Sequence, residues 1–143
     1  PVPGKEEYLD SEKYQIKPRD YTALGNISYE IAQLNRIRRE NPALQTHLGV
    51  AFYPVHNERL LYFGKRTDDL GNFILVMINL DPFEAQEGVF ELPLWEFALP
   101  DDAALHVEDL MSGHRWTWQG KWQSMRLEPW HLPFAIWRIH PVR

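Results

Sequence analysis

From residue 48 to the end, the chain is a succession of short apolar runs: "LGVAFY", "RLLYFGKR", "NFILVMINL", "GVFELP", "ALHVEDL", "RWTWQ", "SMRLEP" and "FAIWRI". Many are rich in aromatic and β-branched residues, and turn-formers such as His56-Asn57, Asp69 to Asn72, Ser112-Gly113 and Gln119-Gly120 separate them. Runs of this length with mostly short connections predict about eight antiparallel strands. They favour a sandwich or barrel over an alternating βα architecture. "FILVMINL" is apolar almost throughout and predicts a strand buried on both faces, whereas "RWTWQGKWQSMRL" alternates and predicts one face toward solvent. Trp137 falls inside the last apolar run and reads as core.

One helix precedes the strands. Ile27, Ile31, Leu34 and Ile37 recur at helical spacing, Asn26 is a plausible N-cap, and Pro42 disfavours helical geometry at Asn41, so the pattern predicts a helix over residues 26–41. Its apolar stripe needs a surface to bury against, either the edge of the sandwich or a preceding domain. Residues 1–24 show no sustained periodicity and read as a polar loop.

The 143 residues and 44% hydrophobic content suit one domain with a genuine core. Without cysteine the chain can form no disulfide and no thiolate zinc site, which makes a cytoplasmic setting the default. The net charge of -5 has no basic block behind it, which argues against nucleic acid as partner. No run approaches the roughly 20 apolar residues of a membrane helix, and no signal peptide leads the chain. The opening "PVPG" lacks a methionine, and the sequence is read as a fragment.

Few residues carry chemistry by themselves. Glu6, Glu7, Asp10 and Glu12 lie in a predicted loop with no apolar neighbours to raise a carboxyl pKa, and they read as a solvated acidic face. The six histidines are scattered without metal-ligand spacing, so neither a metal nor another cofactor is expected. Of six tryptophans, Trp116, Trp118 and Trp122 invite a sugar-binding reading, because aromatic rings stack on the apolar faces of pyranoses. Trp116 and Trp118 share one strand face, which can be core or a stacking platform; the size of the sandwich favours core. Lys13 and Tyr14 place an ammonium beside a phenol, a pair able to converge on a phosphate, though loop dipeptides of this kind are common.

Read in order, "EEYLDSEKYQIKPRDY", "LNRIRRENPALQ", "MINLDP", "VEDLMSG" and "LEPWHLPFAIWRI" resemble the C-terminal end of glycoside hydrolase family 13 proteins, and within them the bacterial maltosyltransferases that draw on maltose 1-phosphate. The later motifs are general to that superfamily; "EEYLDSEKY" joined to "LNRIRRENPALQ" is the narrower signal. The resemblance implies that residues 1–45 end a catalytic (β/α)8 barrel, with a substrate-site loop and the last barrel helix, and that residues 46–143 form the all-β sandwich. It implies that Lys13 and Tyr14 hold the phosphate of maltose 1-phosphate. The catalytic carboxylates would lie upstream, leaving this chain inert alone and its parent, expected as a homodimer, a retaining transferase that passes maltosyl units to an α-1,4-glucan acceptor. Two other readings remain open on sequence: another member of the superfamily (trehalose synthase, branching enzyme or hydrolase), or a stand-alone carbohydrate-binding sandwich whose affinity Trp118→Ala would abolish.

Overall fold

A computed structural model of the chain describes residues 21–142, with side chains described from residue 29 onward. The element order is one helix followed by eight strands: α1 (Tyr21–Glu40), β1 (Val50–Phe52), β2 (Leu60–Arg66), β3 (Phe73–Asn79), β4 (Gln86–Glu91), β5 (Ala104–Asp109), β6 (Arg115–Gln119), β7 (Trp122–Leu127) and β8 (Phe134–Pro141). All eight expected strands are present, and every pairing is antiparallel. They form a six-stranded sheet in the order β1-β2-β3-β8-β5-β6 and a two-stranded sheet β4-β7.

The helix differs from expectation at its start. Among the described residues it already runs from Tyr21, so Asn26 lies inside it, and residues 21–24, expected in the loop, are helical. Gly25 and Asn26 look like a break in the sequence, yet a single glycine in a helix costs only about 1 kcal/mol and neighbouring helix formers can carry the pattern through it. The other end is as expected: Asn41 turns extended (φ -127°, ψ 102°) ahead of Pro42, and Arg38 and Arg39 complement the negative end of the helix dipole. The chain divides into two units between Asn35 and Arg36. In the first, Ile31 of the predicted stripe is 54% exposed; in the second, Ile37 is buried. The side chain of Ile27 lies outside the described residues.

Period-two alternation decides the layers. Phe73, Leu75 and Met77 of β3, Ala135, Trp137 and Ile139 of β8, and Leu105 and Val107 of β5 are buried on one face, in register as Phe73↔Ile139, Leu75↔Trp137 and Val107↔Ile139. Phe90 of β4 and Leu127 of β7 join the same core cluster from the smaller sheet. On the other face of β3 and β8, Ile74 and Ile136 are also buried, and the 3₁₀ turn Pro42–Leu44 packs on β2 and β3. The inner face of β3 is buried along its length, while on the outer face Ile74 is buried and Val76 and Ile78 are half-buried, so the expected cover on both sides is met only in part.

Two of the sequence motifs prove to be clasps. In "MINLDP", the buried Asn79 amide donates to the backbone oxygens of Leu127 (3.0 Å) and Glu84 (3.1 Å), tying β3 to the end of β7. The Asp81 carboxylate then accepts from Phe83 N (2.9 Å), Glu84 N (3.2 Å) and the Gln86 and Arg59 side chains (3.0 and 3.1 Å). In "VEDLMSG", Asp109 Oδ1 accepts from Met111 N (2.9 Å) and Ser112 N (3.0 Å), and Gly113 closes the turn at φ +82°, a conformation glycine adopts without steric cost.

Candidate functional site

The aromatic strand β6 sits at the edge of the six-stranded sheet, with Trp116 opposite Val107 and Trp118 opposite Leu105. Both indoles therefore face the interior. They do not share one fate. Trp118 is half-buried, set edge-on to Trp137 (4.9 Å, 85°) and Phe90 (5.5 Å, 73°), and Phe90 stacks on Trp137 (5.6 Å, 12°). Trp118 is core, as its position in a sandwich favours. Trp116 meets Trp118 edge-on (5.6 Å, 80°) and stays 36% exposed. The physical reason is width: β4 and β7 are too few to roof six strands, so the outermost inward residue is left partly open.

What opens there is a cleft of about 520 Å³ between β6 and β8 on one side and β7 with the segment after it on the other. Trp116, Trp118 and Trp137 form its aromatic wall, and Met125, Leu127 and Ala135 its apolar floor. Glu128 and His131, in the segment after β7, bring polar groups to its rim, while Ser124 and Arg126 border it from the strand face of β7 opposite Met125 and Leu127, where Arg126 Nε pairs with Glu128 Oε2 (3.3 Å). The cleft exists because Gln119-Gly120-Lys121 carries the chain from the large sheet to the small one. Gly120 sits at φ +85°, its N–H donates to Ala103 O (2.9 Å), and the Gln123 amide caps the turn by donating to Gln119 O (2.8 Å) and Gly120 O (3.0 Å).

The polar lip was not legible as a site in the sequence. "SMRLEPWH" gives alternation along β7, which says which residues share a face but not that this face meets Trp116 across the layers. Trp122, the third candidate, points to the other side of its strand with Ser124 and Arg126, is 47% exposed and lies tilted against His56 (5.3 Å, 37°). Lys13 and Tyr14, together with Glu6, Glu7, Asp10 and Glu12, lie outside the described residues. Among the described residues no group of three His, Asp or Glu converges as metal ligands would, and no helix is long and apolar enough to cross a membrane.

On the outer face of the large sheet, a charged ladder replaces the apolar packing. Arg138 Nη2 donates to Glu108 Oε1 (2.6 Å), Arg138 Nη1 donates to Asn41 Oδ1 (3.2 Å), and Asn41 Nδ2 reaches back to Ile37 O (2.8 Å), locking the helix end to β8. The hydrogen bond from Arg138 holds the Glu108 carboxyl below its ordinary range. The Phe83 N–H, first among several donors, does the same for Asp81. A depressed carboxylate stabilises the fold above its unfolded pKa of about 4 and stops doing so as pH falls through the lower folded value. Acid titration of the unfolding transition should therefore show stability falling below about pH 4. The double variant Glu108→Gln, Asp81→Asn should flatten that slope; an unchanged slope would assign the acid sensitivity to other groups.

A family model described as "GLGE, C-terminal" matches residues 52–139, well over half of the chain and nearly all of the sandwich. The chain belongs to this family. Its relatives within reach of sequence include an alpha-1,4-glucan:maltose-1-phosphate maltosyltransferase of Pseudomonas aeruginosa, 72% identical over 99% of this chain, and one of Cereibacter sphaeroides, 50% identical over 98%. Each is matched over 21% of its own length, so this GLGE C-terminal chain spans about a fifth of those relatives. Among solved structures, the noncanonic maltogenic alpha-amylase AmyB of Thermotoga neapolitana superposes with a TM-score of 0.55 at 12% identity, over 78% of this chain and 24% of its own. That likeness shows a shared fold.

Proposed function

We propose that this chain is the C-terminal part of a maltosyltransferase that lengthens α-1,4-glucans from maltose 1-phosphate. The observation that carries the reading is the 72% identity to a relative of that name, maintained across 99% of the chain. In the whole protein, a carboxylate on the barrel attacks the anomeric carbon of maltose 1-phosphate and phosphate leaves, giving a maltosyl-enzyme. The 4-hydroxyl of a glucan end then displaces the carboxylate, and the acceptor gains two glucose units. No residue of this chain is assigned the nucleophile or the acid/base role, and the chain alone is expected to be inert.

Within this reading, residues 1–45 end the catalytic barrel and residues 46–143 form the sandwich. Lys13 and Tyr14 hold the substrate phosphate, the ammonium by charge and the phenol by a directed hydrogen bond, which favours departure of the phosphate. Ile31 on α1, 54% exposed, supports a helix with apolar surface left to bury. The whole enzyme is read as a cytoplasmic homodimer without cofactor. Chromatography of products from the full-length protein, supplied with maltose 1-phosphate and maltohexaose, should show the acceptor growing in steps of two glucose units. Single-unit growth, or growth from maltose without phosphate, would overturn the reading.

A further inference from the structure

We infer that the cleft between β6, β7 and β8 binds an α-1,4-glucan chain, with Trp116 as the stacking platform. Three features of the cleft point to a sugar. The Trp116 indole is 36% exposed at its lip, and its edge is braced by Trp118, which Trp137 and Phe90 hold in turn. A ring fixed in this way meets the flat C–H face of a pyranose without first losing rotamer freedom. At the rim of the cleft Glu128 and His131, from the segment after β7, add a carboxylate and an imidazole suited to the hydroxyl rim of the same sugar. At about 520 Å³ the cleft lies within the ordinary range of small-ligand sites.

The edges of the cleft are also telling. β6 ends the large sheet and β7 pairs only with β4, so both strands that border the cleft keep a free edge among the described residues. An open-sided groove suits a polymer that continues past the contact, whereas a monosaccharide is usually enclosed. The choice of α-1,4-glucan over other polysaccharides rests on the transferase reading above, in which that polymer is the acceptor. The platform and the polar groups at the rim rest on geometry alone.

The test is calorimetric titration of the 143-residue chain with maltoheptaose, followed in parallel by the indole N–H signals in NMR spectra. The expected result is saturable binding that shifts the Trp116 and Trp118 signals and leaves that of Trp95 in place. Trp116→Ala should weaken binding about tenfold, the effect of losing one good aromatic contact. Trp122→Ala, on the opposite side of β7, should leave affinity unchanged. Trp118→Ala is a poor probe, because it removes the brace and part of the core together. Should Trp116→Ala fold badly, the signal shifts in the unsubstituted chain still decide.

No binding of maltoheptaose, binding that moves only Trp122, or equal affinity for cellohexaose would each overturn the inference. None of these measurements uses a transfer reaction. Loss of glucan binding therefore leaves the transferase reading intact, and a parent that releases no phosphate leaves a glucan-binding cleft standing.

Discussion

Phe90→Ala is expected to lower the unfolding free energy of the chain by about 3–5 kcal/mol, a large part of the roughly 5–15 kcal/mol a domain usually has. Phe90 is fully buried and is the one ring of β4 that reaches the aromatic ladder, touching Tyr62 (5.2 Å, 71°), Trp118 and Trp137. Its removal leaves a cavity between the layers that stiff indoles cannot close, and each lost ring pair adds about 0.5–1.5 kcal/mol to the loss of buried area. Denaturant unfolding followed by near-ultraviolet circular dichroism reads the effect. A loss below about 1 kcal/mol, the scale of a tolerated volume-conserving swap, would mean that the smaller sheet is not anchored through this ring.

Lys13→Ala, introduced into the full-length protein, is expected to reduce turnover of maltose 1-phosphate by about 10²–10³, the usual cost of removing one well-placed group from a site where charge develops. Negative charge gathers on the phosphate as its bond to the anomeric carbon breaks, so the loss should fall on kcat as well as on kcat/KM. Tyr14→Phe removes a neutral hydrogen bond and should cost only about tenfold. Lys13→Arg keeps the charge and should recover part of the activity. Equal turnover by Lys13→Ala and the unsubstituted enzyme would remove Lys13 from the phosphate site while leaving the reaction itself in place.

How the sequence relates to the structure differs from element to element. The eight strands could be read from local chemistry, because short aromatic and β-branched runs bounded by turn-formers carry the strand signal within themselves. β3 was legible as the most buried strand, since an apolar run has to be covered, although its outer-face Val76 and Ile78 stay half-buried. The start of α1 was not, because Gly25-Asn26 imitates a boundary that the helix passes through. Nor could sequence divide Trp116 from Trp118: they share a face, and only the unequal width of the two sheets leaves one open and the other enclosed. The apolar face of β7 and the polar rim residues Glu128 and His131 after it are brought to Trp116 by the crossing at Gly120, and no local pattern records such a meeting. The clasps at Asn79, Asp81 and Asp109 stood out in the sequence as family words, and the structure supplies their reason as turn and interlayer hydrogen bonds.

The most direct measurement is phosphate release by the full-length protein that carries this chain, given maltose 1-phosphate with and without a maltooligosaccharide acceptor. The account predicts that phosphate appears in step with acceptor growth, one phosphate for each maltosyl unit added. Absence of phosphate, or its release as free maltose accumulates and the acceptor stays unchanged, would contradict it.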